Sequence, residues 1–207
     1  MFQLLFPQYT HRRWVYLPLG TLALGEQQAG KPNPLLEPHY CQKWVKRLHR
    51  RYRAGCSYGG WFEDRATLWR GHYMPEGFTY HLGIDFNVPE NSRVHSPTGG
   101  TVVEVWHDND TLGGWGGRLV IELKPRVFLL LAHLGKIHTR VGKKVRNGQI
   151  LGNVGGTDIN GNWFPHLHVQ MVRGRFQKID GYGEFSVSNQ RKFPDPFMFW
   201  PPRYAAD

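Results

Sequence analysis

Five polar side chains, His81, Asp85, His133, His166 and His168, stand in otherwise apolar, β-rich stretches of this chain. A single histidine on a strand is ordinarily a satisfied or surface residue, so the combination carries the weight. On a strand, His166 and His168 share a face with side chains about 7 Å apart. One metal ion at a bond length of about 2.0–2.1 Å does not readily take both. One of the pair can ligate while the other stands beside the ion, within reach of a bound water or substrate. His81 and Asp85 would lie about 13 Å apart on a straight strand. A helix would make them neighbours, but Gly83, Phe86, Val88 and Pro89 oppose one. Gly83 allows a bend that joins them. One His, one Asp and one further His leave a fourth position for water, the arrangement of catalytic rather than structural zinc.

Other chemistries find no support in the residues. The chain has no His-Glu-x-x-His, no Gly-x-Ser-x-Gly, no Walker loop and no Gly-x-Gly-x-x-Gly opening a helix. Gly113 to Gly117 is most simply a loop. Cys41 and Cys56 are the two cysteines. On a continuous helix they sit about 20 Å apart, too far for a disulfide, and two reduced thiols are expected.

The elements that must position the five residues are short strands. Runs at His81–Val88, Thr101–Trp106, Arg118–Leu123, Val127–Leu134, Gln149–Val154 and His166–Val172 are separated by Gly-, Pro- and Asn-rich turns. In the last run Leu167, Val169 and Met171 alternate with His166, His168 and Gln170. The expected fold is mainly β, an antiparallel sandwich or half-barrel core over residues 79–172. Residues 1–78 form an N-terminal arm with an amphipathic helix over 38–54. Its apolar stripe is Cys41, Trp44, Val45, Leu48 and Tyr52, and its polar face is basic. Residues 173–207 read as a Pro- and aromatic-rich tail wrapped over the core.

The three motifs His81-Leu82-Gly83-Ile84-Asp85, Ala132-His133-Leu134 and Pro165-His166-Leu167-His168 resemble, in order and spacing, those of the lysostaphin-like (LytM-type) zinc metallopeptidases. The turn-rich segment Val141 to Gly152 is similar to the family's stretch between its second and third motifs. The resemblance implies that His81, Asp85 and His168 bind Zn2+ and that His133 and His166 flank the water. It implies an endopeptidase acting on peptide or peptidoglycan cross-bridges and stem peptides. The chain departs from the family at Leu131, at Asn160-Gly161-Asn162-Trp163-Phe164, and at Val169-Gln170, where Phe-Glu is frequent. The alternative is a zinc-binding module that recognises peptide or scaffolds a partner without catalysis. In this family such loss usually shows as missing ligands or flanking histidines, and all five are present.

Composition sets the outer bounds. The 207 residues carry a formal charge of +10, with 40% hydrophobic and 20% charged residues. That is a globular composition, compatible with a polyanionic partner such as a cell-wall polymer. Nucleic acid is not expected, because the aromatic residues of the basic helix lie on its buried-looking face. No apolar run reaches the roughly 18–20 residues of a transmembrane helix. Residues 1–25 permit export, but Pro18 and Gly20 interrupt a short apolar run, and the thiols lean towards a reducing, cytoplasmic compartment. Nothing in the sequence specifies an oligomeric state.

Overall fold

The computed structural model of the chain describes residues 1–36, 38–66, 77–108, 114–160, 163–177 and 179–201. Its strands are β1 (Trp14–Tyr16), β2 (Cys56–Gly59), β3 (Tyr80–His81), β4 (Ile84–Asn87), β5 (Arg93–His95), β6 (Gly100–His107), β7 (Gly117–Lys124), β8 (Val127–Ile137), β9 (Lys144–Val145), β10 (Ile150–Val154), β11 (His166–Arg173) and β12 (Tyr182–Gly183). The helices are α1 (Phe2–Leu5), α2 (Leu19–Gln28), α3 (Pro38–Arg51) and α4 (Val187–Lys192). One large sheet follows the path β1-β2-β4-β11-β8-β7-β6-β9, with β10 bridging β5 and β8, while β12 pairs with β3 apart from it. Only the β1–β2 pair of these is parallel. The fold is therefore mainly β, open rather than a closed barrel, and antiparallel where it carries the site.

Both faces of the sheet are covered, each for a reason visible in the alternation of its strands. On one face Ile84, Phe86, Leu119, Ile121, Leu129, Leu131, Leu167, Val169 and Met171 pack with Leu5, Phe6 and Tyr58. On the other, Val120, Leu130, Ala132 and Val172 pack with Leu82, Ile179 and Phe193. The tail thus contributes to the second layer, and Phe197, Phe199 and Trp200 lean on the first. Residues 202–207 lie outside the described ones.

Three expectations need adjustment. The run His81–Val88 divides into β3 and β4, because Leu82 N donates to Gly181 O (2.8 Å) and its neighbours pair with β12 rather than with the sheet. The N-terminal residues supply β1 and β2, and β2 pairs directly with β4, so this third of the chain enters the sheet beside Asp85. The basic helix stops at Arg51. Cys41, Trp44, Val45 and Leu48 are buried under it as expected, but Tyr52 lies past its end and is exposed. His49, Arg50 and Arg51 fill the last turn, where cations suit the helix dipole. Cys41 and Cys56 are both free and buried.

Candidate metal centre

Strand register builds the site. The pairing places Gly59, Asp85, His168 and Ala132 in one row across β2, β4, β11 and β8, and Ser57, Asn87 and His166 two rows on, on the same face. Opposed residues share a face, so Asp85 and His168 are neighbours by construction. His81 arrives from β3 through the break at Leu82-Gly83. Gly83 has a more specific duty than bending: a Cβ there would stand 2.6 Å from both Cε1 and Nε2 of His168. The missing side chain is the space the imidazole occupies.

His133 reaches the site by a different device. Strict alternation after Leu131 and Ala132 would point it into the first core layer. Between Leu131 and Leu134 on β8 there are three steps, while their partners Leu119 and Gly117 on β7 are two apart. Leu131 and Leu134 consequently face the same core, and the extra residue is a bulge. His133 has φ 62°, a left-handed conformation that is costly for a non-glycine residue. Its backbone is pinned by His133 N to Trp115 O and Gly155 N to His133 O, both 2.8 Å. The imidazole is turned to lie 4.5 Å, centroid to centroid, from that of His166.

The resulting geometry separates the five residues into three and two. One atom each of His81, Asp85 and His168 lies within 4.8 Å of the others, and these three side chains are buried. Asp85 Oδ1 is 3.3 Å from His81 Nε2 and 3.2 Å from His168 Nδ1. His81 Nε2 and His168 Nδ1 are 2.9 Å apart. Each imidazole gives its other nitrogen to the protein. His81 Nδ1 donates to Gly60 O (3.0 Å) and His168 Nε2 to Gln170 Oε1 (3.0 Å), whose amide in turn donates to Asp180 O. Such partners fix the tautomer and leave the inward nitrogens with lone pairs, which is what a metal requires. A carboxylate oxygen and two imidazole lone pairs converging in a dry site fit a divalent first-row ion.

His166 and His133 stand beside this triad. His166 Nε2 is 3.8 Å from Asp85 Oδ1, and its Nδ1 donates to Phe164 O at 2.6 Å. His133 Nδ1 is buried without a hydrogen-bond partner among the described residues, as is Oδ1 of Asn160, whose amide nitrogen donates to Phe164 O. Burial pushes His81 down to about 4, with the Arg65 charge adding and Asp85 opposing. Burial likewise lowers His166, and lowers His133 further with the help of the neighbouring His166 and His168. Burial alone would raise Asp85, but His81, His166 and Arg65 together hold it well below the usual carboxylate range.

Sequence reasoning passed over several groups that shape this site. Trp115, in the glycine-rich loop, presents its ring edge to His168 at 5.5 Å. Trp163 does the same to His166 at 5.2 Å. Tyr182 lies 5.5 Å from the His81 ring. Arg65, 1% exposed, binds Asp85 Oδ2 at 3.0 Å. Two signals were available among the departures already noted: Trp163 lies in the Asn160-to-Phe164 segment, and Gln170 of Val169-Gln170 is the partner of His168.

Residues 79–180 match Peptidase family M23. The chain is 32% identical over 130 residues to an uncharacterised metalloprotease of Haemophilus influenzae, covering 59% of this chain and 26% of that protein. It is 30% identical over 120 residues to the glycyl-glycine endopeptidase ALE-1 of Staphylococcus capitis, covering 53% and 32% respectively. The chain thus spans about a quarter to a third of the length of these curated relatives. Among solved structures it resembles lysostaphin from Staphylococcus simulans, with 27% identity, a TM-score of 0.46, and coverage of 62% of this chain and 45% of that one.

Proposed function

We propose that the protein is a zinc-dependent endopeptidase that hydrolyses peptide bonds in peptidoglycan cross-bridges or stem peptides, a reading supported by the match of residues 79–180 to Peptidase family M23. The observation that carries this reading is the convergence of His81, Asp85 and His168 with two further histidines beside them. His81 Nε2, Asp85 Oδ1 and His168 Nδ1 are the ligand atoms in this reading. When bound there, zinc supplies Lewis acidity and a water acidified to near pH 7.

The rest of the chemistry belongs to the chain. His166 keeps its proton on Nδ1 through Phe164 O, so its Nε2 is the lone pair that accepts the proton of the attacking water. Its lowered pKa keeps that lone pair free at neutral pH. His133 stays neutral for the same reason and offers an N–H to the oxygen that gains negative charge in the transition state. Trp115 and Trp163 pack in T-shaped contacts against His168 and His166 and help to hold these rings in place. The excess of basic residues favours residence on an anionic wall polymer.

The test is metal analysis of the purified protein together with digestion of purified peptidoglycan, with and without chelator. Stoichiometric zinc and chelator-sensitive release of peptide termini are expected. Zinc without cleavage of any wall or peptide substrate would leave a non-catalytic binding module.

A further inference from the structure

Arg65 lies outside the three motifs, yet its guanidinium sits next to the triad with almost no exposure. A buried cation is strongly destabilising unless it is fully engaged. Here each nitrogen has its own partner: Nη2 donates to Asp85 Oδ2 (3.0 Å), Nη1 to the Tyr182 hydroxyl (3.0 Å) and Nε to Glu63 Oε2 (3.3 Å). Its carbon centre lies 5.2 Å from the Trp163 ring. Glu63 is itself anchored, accepting from Thr21 N at 3.0 Å. Room for the group is reserved at Gly60, where φ is +102° and a Cβ would fall 2.6 Å from Arg65 Nη2 and 2.9 Å from His81 Nδ1.

The two oxygens of Asp85 are thereby divided. Oδ1 faces three histidine nitrogens at 3.2–3.8 Å, and Oδ2 faces the guanidinium. A carboxylate on a short side chain that lacked this partner could rotate and present both oxygens, filling the position that water needs. We propose that Arg65 is a positioning residue that commits Asp85 Oδ2 to itself, so that Asp85 offers the metal one oxygen and the fourth position stays open. The three-way fork is a demand that lysine cannot meet, since an ammonium lacks the planar donor set.

This inference rests on the zinc-peptidase reading, and the experiment separates the two. Parent, Arg65→Lys and Val102→Ala proteins are loaded with zinc, or with cobalt as a spectroscopic stand-in, and checked for folding by near-ultraviolet circular dichroism. Val102→Ala trims a buried core side chain on β6, across the sheet from β4, so it reports what mere destabilisation does. Arg65→Lys is expected to weaken zinc retention against a chelator about 10–100-fold, the usual cost of losing a partner of a ligand. Its cobalt absorption should also change in intensity, reporting a changed coordination number, while Val102→Ala leaves both readings at parental values. An Arg65→Lys protein with parental zinc retention and cobalt spectrum overturns the proposal, as does an equal change in Val102→Ala. If the parent takes up neither metal, the zinc-peptidase reading falls with it.

Discussion

At the scale of the single residue, the proposed division of five groups into three ligands and two flanking imidazoles makes opposite demands on zinc content and turnover. Replacing His81, Asp85 or His168 by Ala removes one of three convergent donors, and zinc measured by atomic emission should fall to background in each. Replacing His133 or His166 by Ala removes no donor. Zinc should stay stoichiometric while turnover falls by roughly 10²–10⁴, the worth of a positioned acid–base or oxyanion group. Zinc loss in the second pair would mean that ligand and base are exchanged. The five residues were legible because their types and spacing are unusual for strands. Arg65 was not, since it lies twenty positions before Asp85 with no periodicity to connect them, and its segment reaches the site through long-range backbone pairing of residues 62–65 with residues 79–81.

At the scale of the element, what matters is how close two backbones come and how a strand miscounts. The strand positions were readable from alternation, and β6, β7, β8, β10 and β11 fall within a few residues of their expected bounds. The bulge at His133 was not, because nothing in Ala132-His133-Leu134 marks an extra residue until β7 is laid beside it. Gly83→Ala should test the close approach. The new methyl group collides with the His168 ring and Val169 O, so zinc content should drop although every ligand is retained. Helix α3 offers a second test, through His49 Nε2 bonded to Ser57 Oγ on β2 at 2.8 Å. Burial lowers His49 to about 4, so it folds neutral and must take up a proton as the chain unfolds in acid. A depressed histidine contributes stability that is complete above its unfolded pKa of about 6.5 and is lost on acidification towards 4. Urea midpoints measured from pH 7 to 4 should therefore fall, and less steeply in His49→Gln than in the parent.

For the whole molecule, the boundary near residue 79 that motif spacing draws is not a boundary in the sheet. β2 covers the edge of β4, Phe6 and Tyr58 complete the first core layer, and Arg65 meets Asp85. A fragment of residues 79–207 should accordingly lack cooperative unfolding by circular dichroism, since it exposes that strand edge and the part of the apolar face that Leu5, Phe6 and Tyr58 cover. The N-terminal strands could not be seen in the sequence because each is three or four residues long and is held by its neighbours rather than by its own pattern.

The pairing of β3 with β12 bears on the order of events during synthesis. His81 is locked by a strand that includes Tyr182, and Leu82 by the carbonyl of Gly181, nearly a hundred residues downstream. At the usual 5–20 residues per second, the ribosome needs on the order of 5–20 s to travel from Asp85 to Tyr182. Until His168 is made the nascent chain holds His81 and Asp85 without the third member of the triad, and until Tyr182 is made His81 lacks its β12 partner. In the proposed reading, ion capture by the triad consequently waits until β11 and β12 have both emerged.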